Sequence, residues 1–410
     1  MYQSYAALIA LALPLCSIGQ SSFQQQYSRN ESDLLVGSTL NSVAATGDGF
    51  MLGGEAPGTL LGVSLTNTDA NGTPNWVRTY DMSPDGFGRG AITTMEQLPG
   101  GDFIVAGAAP ELFFARIGAD GAVVWAKRVV TGLYPIATDI ALTSDGNFVL
   151  TGKRQANAFD PFIIKAAPDG TVLWSKVYDT AAENSEFFTS IVETPDGGFM
   201  AYGYWNYNLV YMNLLVVKLN MDGGVEWSKL YGQSPVNTFL MAHTIRATAD
   251  GNYTLSAAAT TFQSQTYEPL LVKIDAAGTV LWSTKWDALT SASTLAIPNL
   301  KLSHEVMPDQ SLLVMLGSVG YPSASMQLVH ADADGTPLAS NHLRYLDRIE
   351  TANAMVMLHD GSAALVGYNH TGTYIESSFL FKTDADRNTP CNDSASTASA
   401  TPFVLPAVDG

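Results

Sequence analysis

Residues 189–231, TSIVETPDGGFMAYGYWNYNLVYMNLLVVKLNMDGGVEWSKLY, decide the fold. The stretch contains four runs of β-branched, aromatic and aliphatic residues, at 189–194, 198–204, 214–220 and 225–231. Asp196-Gly197 separates the first two runs and Asp222-Gly223 the last two. An Asp-Gly pair between apolar runs is a strong hairpin signal. The stretch therefore predicts four antiparallel strands, with a longer loop between the second and the third.

Two signatures of this stretch recur along the chain. One is an acidic turn ending in Gly with Trp four residues later, at Gly72/Trp76, Gly121/Trp125, Gly170/Trp174, Gly223/Trp227 and Gly278/Trp282, with a degenerate copy at Gly335/Ala339. The glycines are 49, 49, 53, 55 and 57 residues apart. The other is a turn followed by an aromatic or apolar residue, as in Gly198-Phe199 and Asn252-Tyr253. A period near fifty residues indicates a solenoid, a propeller or an array.

Four antiparallel strands in about fifty residues form one blade of a β-propeller. We therefore predict an all-β fold, a seven-bladed β-propeller, with six or eight blades as alternatives. A β-helix fits less well because its repeats are shorter and parallel. The last repeat has strands around 354–358, 363–367 and 379–383 but no fourth. Phe23…Tyr27 has the aromatic-x-x-x-aromatic form of Trp227…Tyr231, so we expect this N-terminal strand to close the last blade.

The ends of the chain suggest export. The apolar run 6–15 is followed by Ser17 and Gly19, which fits a signal peptide at 1–19. A lipid anchor at Cys16 is less favoured, because Leu15 stands where a small residue is wanted. The propeller is expected at 20–387, and 388–410 is a Ser/Thr/Pro-rich linker or tail. The predicted location is secreted or at the cell surface, with Cys391 as the one cysteine of the mature chain.

Composition excludes some partners. Lys and Arg number 20 against 38 Asp and Glu, and the net charge of -18 argues against nucleic acid. Later segments lack the roughly 18 apolar residues of a membrane helix.

No HExxH, G-x-S-x-G or P-loop motif is present, so we expect no enzyme, no cofactor and no metal. Acidic residues from different blades still leave a catalytic alternative open.

The expected working surface carries the loops between second and third strands. These loops vary in length and composition, whereas the other turns are short and repetitive, and variable loops on a rigid scaffold often bind partners. Aromatic residues are dense near 202–211. The candidate ligand-binding residues are Trp205, Tyr207, Tyr211, Phe262, Tyr267, Tyr321 and Tyr374. An alternative is that Tyr202 and Tyr204, two positions apart on one strand, both point into the core. The repeated tryptophans are interpreted as packing residues.

The segments 196–203 (DGGFMAYG) and 214–232 (LLVVKLNMDGGVEWSKLYG) resemble the repeat of secreted β-propeller proteins of type IX-secreting, Bacteroidetes-type bacteria. The resemblance covers roughly 34–387 and implies export and cell-surface recognition without a defined activity. The turn at 275–282 also resembles the repeat of quinoprotein-type propellers, which include dehydrogenases and cofactor-free scaffolds.

Together these observations predict an exported, non-catalytic, monomeric β-propeller. Its partner would be a protein or glycan at the cell surface, bound through the face that carries the loops between second and third strands. The alternatives are a polysaccharide-acting enzyme with acidic residues at the channel mouth, and a structural spacer on the cell surface.

Overall fold

The computed structural model describes residues 22–28, 39–56, 62–80, 90–109, 111–129, 133–155, 158–178, 184–207, 211–232, 238–261, 267–286, 301–317, 326–343, 349–371, 374–389, 394–396 and 400–409. These residues form strands and turns and contain no helix. The predicted signal peptide, Cys391, Phe262 and Tyr321 lie outside them. The chain divides into two compact units, which are described separately: Met1–Val129, Gly317–Leu328 and Asn341–Ala395 form the first, and Val130–Leu316, Val329–Ser340 and Ser396–Gly410 the second.

The strands follow the predicted repeat. Up to the end of the second repeat they are β1 (Phe23–Ser28), β2 (Leu40–Ala45), β3 (Gly49–Glu55), β4 (Val63–Asp69), β5 (Pro74–Tyr80), β6 (Ala91–Gln97), β7 (Phe103–Ala109), β8 (Glu111–Ile117) and β9 (Val123–Val129). The next three repeats contain β10 (Leu133–Leu142), β11 (Phe148–Gln155), β12 (Phe159–Ala166), β13 (Val172–Val177), β14 (Ser185–Glu193), β15 (Phe199–Tyr207), β16 (Tyr211–Leu219), β17 (Val225–Tyr231), β18 (Thr238–Ala247), β19 (Tyr253–Thr261), β20 (Glu268–Ile274) and β21 (Val280–Trp286). The remainder are β22 (Lys301–Val306), β23 (Leu312–Gly317), β24 (Met326–Ala331), β25 (Pro337–Leu343), β26 (Ile349–Met357), β27 (Ala363–Thr371), β28 (Tyr374–Lys382), β29 (Ser394–Ser396), β30 (Ala400–Pro402) and β31 (Ala407–Asp409).

Within a repeat, consecutive strands pair antiparallel. This holds for β2 to β5, β6 to β9, β10 to β13, β14 to β17 and β18 to β21. In the first unit β26, β27 and β28 pair in the same way, and β1 adds to them as the fourth strand. Phe23 is opposite Lys382 and Tyr27 is opposite Ser378. The predicted pairing of the N-terminal strand with the last repeat is observed.

The last strand of a repeat docks on a turn of the next one. In the second unit the Trp227 ring lies 2.8 Å from where a Cβ on Gly278 would stand, and Gly278 has φ +76. The Tyr231 hydroxyl donates a 2.8 Å hydrogen bond to the carbonyl oxygen of Gly278. Only glycine accepts both this φ and the indole ring. The repeated tryptophans are therefore packing residues.

The same docking occurs in the first unit, and the N-terminal strand takes part in it. The Tyr80 hydroxyl donates to the carbonyl oxygen of Gly121 at 2.8 Å. The Tyr27 hydroxyl donates to the carbonyl oxygen of Gly72 at 2.7 Å. The Phe23 ring lies 2.6 Å from where a Cβ on Gly72 would stand. Phe23 and Tyr27 thus occupy the places that Trp and Tyr hold in the other repeats.

We expect Tyr231→Phe to lower the free energy of unfolding by about 1 kcal/mol, since it removes one buried hydrogen bond and keeps the ring. Urea denaturation of the whole chain measures this loss. Tyr267→Phe is the matched control, because its hydroxyl bonds to no turn among the described residues. An equal loss in both variants would contradict the docking role.

The first strand of a repeat carries a β-bulge. In β14 the register shifts between Phe188 and Ser190, so Thr189 is the extra residue. Its hydroxyl donates to the carbonyl oxygen of Tyr202 at 3.2 Å. Register shifts at matching positions occur in β6, β10 and β26. The bulge brings the backbone of β14 close to that of β15, where Gly203 provides the room.

The core of the second unit is apolar with a small buried polar network. Tyr202 is fully buried, and its hydroxyl donates to the carbonyl oxygen of Ser256 at 3.1 Å. His304 is also fully buried: its Nδ1 lies 2.7 Å from the Thr244 hydroxyl and its Nε2 lies 2.9 Å from the Thr254 hydroxyl. Burial, with Arg246 as a smaller cause, lowers the pKa of His304 to about 3, so the folded ring is neutral.

Within the predicted linker or tail 388–410, residues 400–409 add two strands. In the second unit β30 pairs antiparallel with β21, and β31 pairs antiparallel with β17. Leu405, between them, is 6% exposed and belongs to an apolar cluster with Leu240. The apolar sequence PFVLP (402–406) explains the difference, because burial of an apolar side chain such as Leu405 stabilises docking, whereas a polar linker has no such side chain to bury.

Candidate functional site

The structure shortens the loops between second and third strands. Trp205, predicted to lie in a loop, lies in β15, and Tyr207 and Tyr211 are opposite each other where β15 and β16 end. Strand pairing extends past the polar and aromatic residues that the sequence assigned to the loop, because aromatics are good strand formers. The side chains of Tyr207, Tyr211 and Tyr374 lie outside the described residues, although Tyr374 begins β28.

Two of the candidate residues pack partly inside the protein. Trp205 is half-buried and packs against a core cluster that includes Phe188 and Leu215. Tyr267 is half-buried and packs against a different cluster, which includes Trp286. Trp205 and Tyr267, the two candidate residues whose side chains are described, therefore belong to different parts of the core.

A different set of side chains meets at the same end of the strands in the second unit. Phe159 and Phe187 have ring centroids 5.1 Å apart, and Phe187 stacks on Tyr204 at 4.6 Å with an interplanar angle of 24°. The Lys153 ammonium lies 4.9 Å from the Phe159 centroid and 4.6 Å from the Phe187 centroid. We call Lys153, Phe159, Phe187 and Tyr204 the aromatic–lysine cluster. Phe187 is buried, whereas Lys153, Phe159 and Tyr204 are half-buried, so the exposed part of the cluster combines the edges of two rings with a cation.

The strand positions explain why these residues meet. Lys153 and Phe159 lie near the facing ends of β11 and β12, and Phe187 lies at the start of β14. The amide of Phe159 donates to the Ser185 hydroxyl at 3.4 Å, which holds the start of β14 beside this hairpin. Phe187 is directly opposite Tyr204 in the sheet.

Burial alters the titration of the cluster. It lowers the pKa of Lys153, because the ammonium loses part of its hydration. It raises the pKa of Tyr204 to about 12, so this hydroxyl stays protonated at neutral pH.

A polar row crosses the same end of the sheet. Glu186, Trp205 and Asn213 are directly opposite one another on β14, β15 and β16. Glu186 is fully buried and Asn213 is 1% exposed. The Asn213 Nδ2 atom is buried without a hydrogen-bond partner among the described residues. A buried donor of this kind is costly, and a ligand oxygen or water would satisfy it.

Sequence reasoning missed Lys153, Phe159, Phe187, Glu186 and Asn213. Phe159 lies inside the variable loop predicted at 154–161, and Phe187 directly follows the connection between repeats predicted at 181–186, so both had a positional signal. Asn213 ends the loop predicted at 205–213, whereas Lys153 had no such signal, because its contacts come from a neighbouring strand and the next repeat.

A cavity of about 280 Å³ lies at the opposite end of the strands in the second unit. Its lining includes Ser144, Glu193, Pro195 and Tyr253. The Glu193 carboxylate accepts bonds from the Ser144 amide at 2.7 Å and the Ser144 hydroxyl at 3.0 Å. These polar groups satisfy each other, so the cavity is a weaker candidate than the aromatic–lysine cluster.

Comparisons with known proteins bear on the fold. No protein-family model matches the chain, and no curated protein matches it. Among solved structures, a polysaccharide lyase named Uly1 is similar with TM-score 0.54 and 10% identity, covering 88% of this chain and 92% of that one. The Dos1 propeller matches with TM-score 0.47, 11% identity and 86% and 79% coverage. A protein of unknown function from Bacteroides caccae matches with TM-score 0.42, 15% identity and 73% and 97% coverage.

The likeness to the lyase agrees with the repeated four-stranded sheets. The fold is of the β-propeller type. At 10% identity the likeness concerns the fold alone. Within the described residues, no helix has the length and apolar character needed to cross a membrane.

Proposed function

We propose that the protein is an exported, non-catalytic, seven-bladed β-propeller of the cell surface that binds a glycan through the end of the strands carrying the aromatic–lysine cluster. The observation that carries this proposal is the stack of Phe159, Phe187 and Tyr204 under the Lys153 ammonium. The resemblance to repeats of type IX-secreted propellers and the apolar N-terminal run support export.

The chemistry of the site fits a sugar. Sugar rings present C–H faces, which pack on aromatic rings, and hydroxyl oxygens, which accept hydrogen bonds from buried donors. The Lys153 ammonium is such a donor. The sequence contains no HExxH, G-x-S-x-G or P-loop motif, and we therefore propose binding without turnover.

A glycan and surface-polysaccharide binding screen on the whole mature chain tests this function. We expect Phe159→Ala and Lys153→Ala each to weaken binding about tenfold, equivalent to about 1.4 kcal/mol. Tyr267→Ala is the matched control: it is an aromatic candidate of similar burial that packs outside the site, so its affinity should equal that of the parent protein.

The other outcomes distinguish the alternatives. Shortening of any bound polymer would contradict the non-catalytic proposal and favour a polysaccharide-acting enzyme. Equal losses in all three variants would show that the site is not at the cluster. Binding to none of the glycans would overturn the glycan proposal and leave a protein partner or a structural spacer.

A further inference from the structure

The C-terminal segment 400–409 lies on two repeats of the second unit. Thr401 is opposite Lys285 in β21, and Val408 is opposite Leu230 in β17. The Phe403 amide donates to the carbonyl oxygen of Ser283 at 3.0 Å. The segment thus extends two outer strands by antiparallel addition and crosses from one repeat to the next.

A side-chain anchor holds the centre of this segment. Leu405 is 6% exposed, whereas its neighbour Val404 is 88% exposed. Leu405 packs in the cluster that contains Leu240, and the Gly232 amide donates to the carbonyl oxygen of Pro406 at 2.9 Å. Backbone pairing with one buried side chain is a recurring way for proteins to recognise an extended peptide.

We propose that the outer edges of β17 and β21, with the Leu405 pocket between them, form a peptide-acceptor groove, and that it takes the 400–409 segment of a second copy of this chain as well as its own. Pro402 and Pro406 flank the anchor and reduce the conformational entropy lost on docking. The segment is connected to the preceding repeat through 390–399 (PCNDSASTAS), whose described residues form β29.

The identical sequence of each copy argues for a second copy as the occupant. A segment that fits the groove in its own chain fits the same groove in another, and exchange of such an element is a known route to dimers. The intramolecular segment competes at an effective concentration in the millimolar range, so the monomer prevails until the chain is concentrated or the segment is released.

The test compares Leu405→Asp with Val404→Asp in the full chain. The two positions are adjacent and the chemical change is the same, but only Leu405 is buried. A fluorescent peptide of residues 400–409 is titrated into each protein, and binding is read by anisotropy. We expect the Leu405→Asp chain, whose groove is open, to bind at least about tenfold more tightly than the parent or Val404→Asp chain.

Peptide variants supply the reciprocal test. A peptide with Leu405→Asp should bind the open groove at least about tenfold more weakly, and one with Val404→Asp should bind like the parent peptide. Circular dichroism establishes that the Leu405→Asp chain is folded. If that chain does not fold, the parent peptide is instead added in excess to the intact protein, where it has to displace the protein's own 400–409 segment. Absence of peptide binding, or equal binding of the two variant peptides, would overturn the groove.

Light scattering after size exclusion tests the second copy. Concentrated parent protein should form dimers, and the Leu405→Asp chain should not, because its own segment cannot dock on a partner. If the peptide binds but the parent protein forms no dimer that Leu405→Asp abolishes, a second copy is not the occupant of the groove.

Discussion

Gly203→Ala is expected to lower the free energy of unfolding by about 3 kcal/mol, near the upper end for overpacking. A Cβ at Gly203 would collide with the carbonyl oxygen of Phe187 and press on the adjacent carbonyl carbon, 2.6 Å away. Both atoms are backbone, so no side chain can rotate aside. The bulge at Thr189 causes this close approach, and relief would require unpairing β14 from β15.

Urea denaturation of the whole chain measures the effect, with Gly100→Ala as the matched control. A Cβ at Gly100 would have no atom within 4 Å, so that variant should be within about 0.5 kcal/mol of the parent. A Gly203→Ala protein as stable as the Gly100→Ala protein would contradict the close packing at the bulge. Since Gly203 adjoins Tyr204, the same variant should also weaken ligand binding at the aromatic–lysine cluster.

His304 is expected to make the protein sensitive to mild acid. Its pKa in the folded state is about 3, below the ordinary value of 6.5, because burial disfavours the charged ring. Below pH 6.5 the unfolded chain therefore binds a proton that the folded chain does not, and stability falls as the pH drops from 6.5 towards 3. Each pH unit costs about 1.4 kcal/mol, so this one side chain should remove about 2 kcal/mol between pH 7 and pH 5.

His304→Gln separates this effect from other acid titrations, because Gln does not titrate and retains donors and acceptors for Thr244 and Thr254. Its free energy of unfolding should decline about 2 kcal/mol less than that of the parent between pH 7 and pH 5. His359→Gln is the control, since His359 is exposed in a turn. Parallel pH profiles for parent and His304→Gln would contradict the buried neutral histidine.

Much of the fold could be predicted because it is local and repeated. The Asp-Gly turns and apolar runs of 189–231 located all four strands of that repeat, although β14, β15 and β16 extend beyond the predicted ends. The likeness of Phe23…Tyr27 to Trp227…Tyr231 identified the partner of the N-terminal strand across the length of the chain. Such patterns are readable because hairpin pairing depends on turn residues and on side chains a few positions apart.

The candidate site was less predictable. The sequence pointed to the end of the strands at which the aromatic–lysine cluster lies, and within 202–211 it left open whether Tyr202 and Tyr204 are exposed or point into the core. Successive residues of a strand point to opposite faces, so Tyr204 and Trp205 separate once β15 extends through them. Tyr204 then stacks on Phe187, which in turn meets Phe159 and Lys153 from the preceding repeat.

The sequence by itself determined the all-β class, the repeat and the antiparallel order of the strands, because these follow from turn chemistry and residue alternation within about fifty residues. Only the tertiary structure decided which side chains share a surface, how close Phe187 comes to Gly203, and that Leu405 is buried between two outer strands. Those outcomes depend on strand bulges and on contacts between residues far apart in the chain. No local pattern of the sequence encodes such distances.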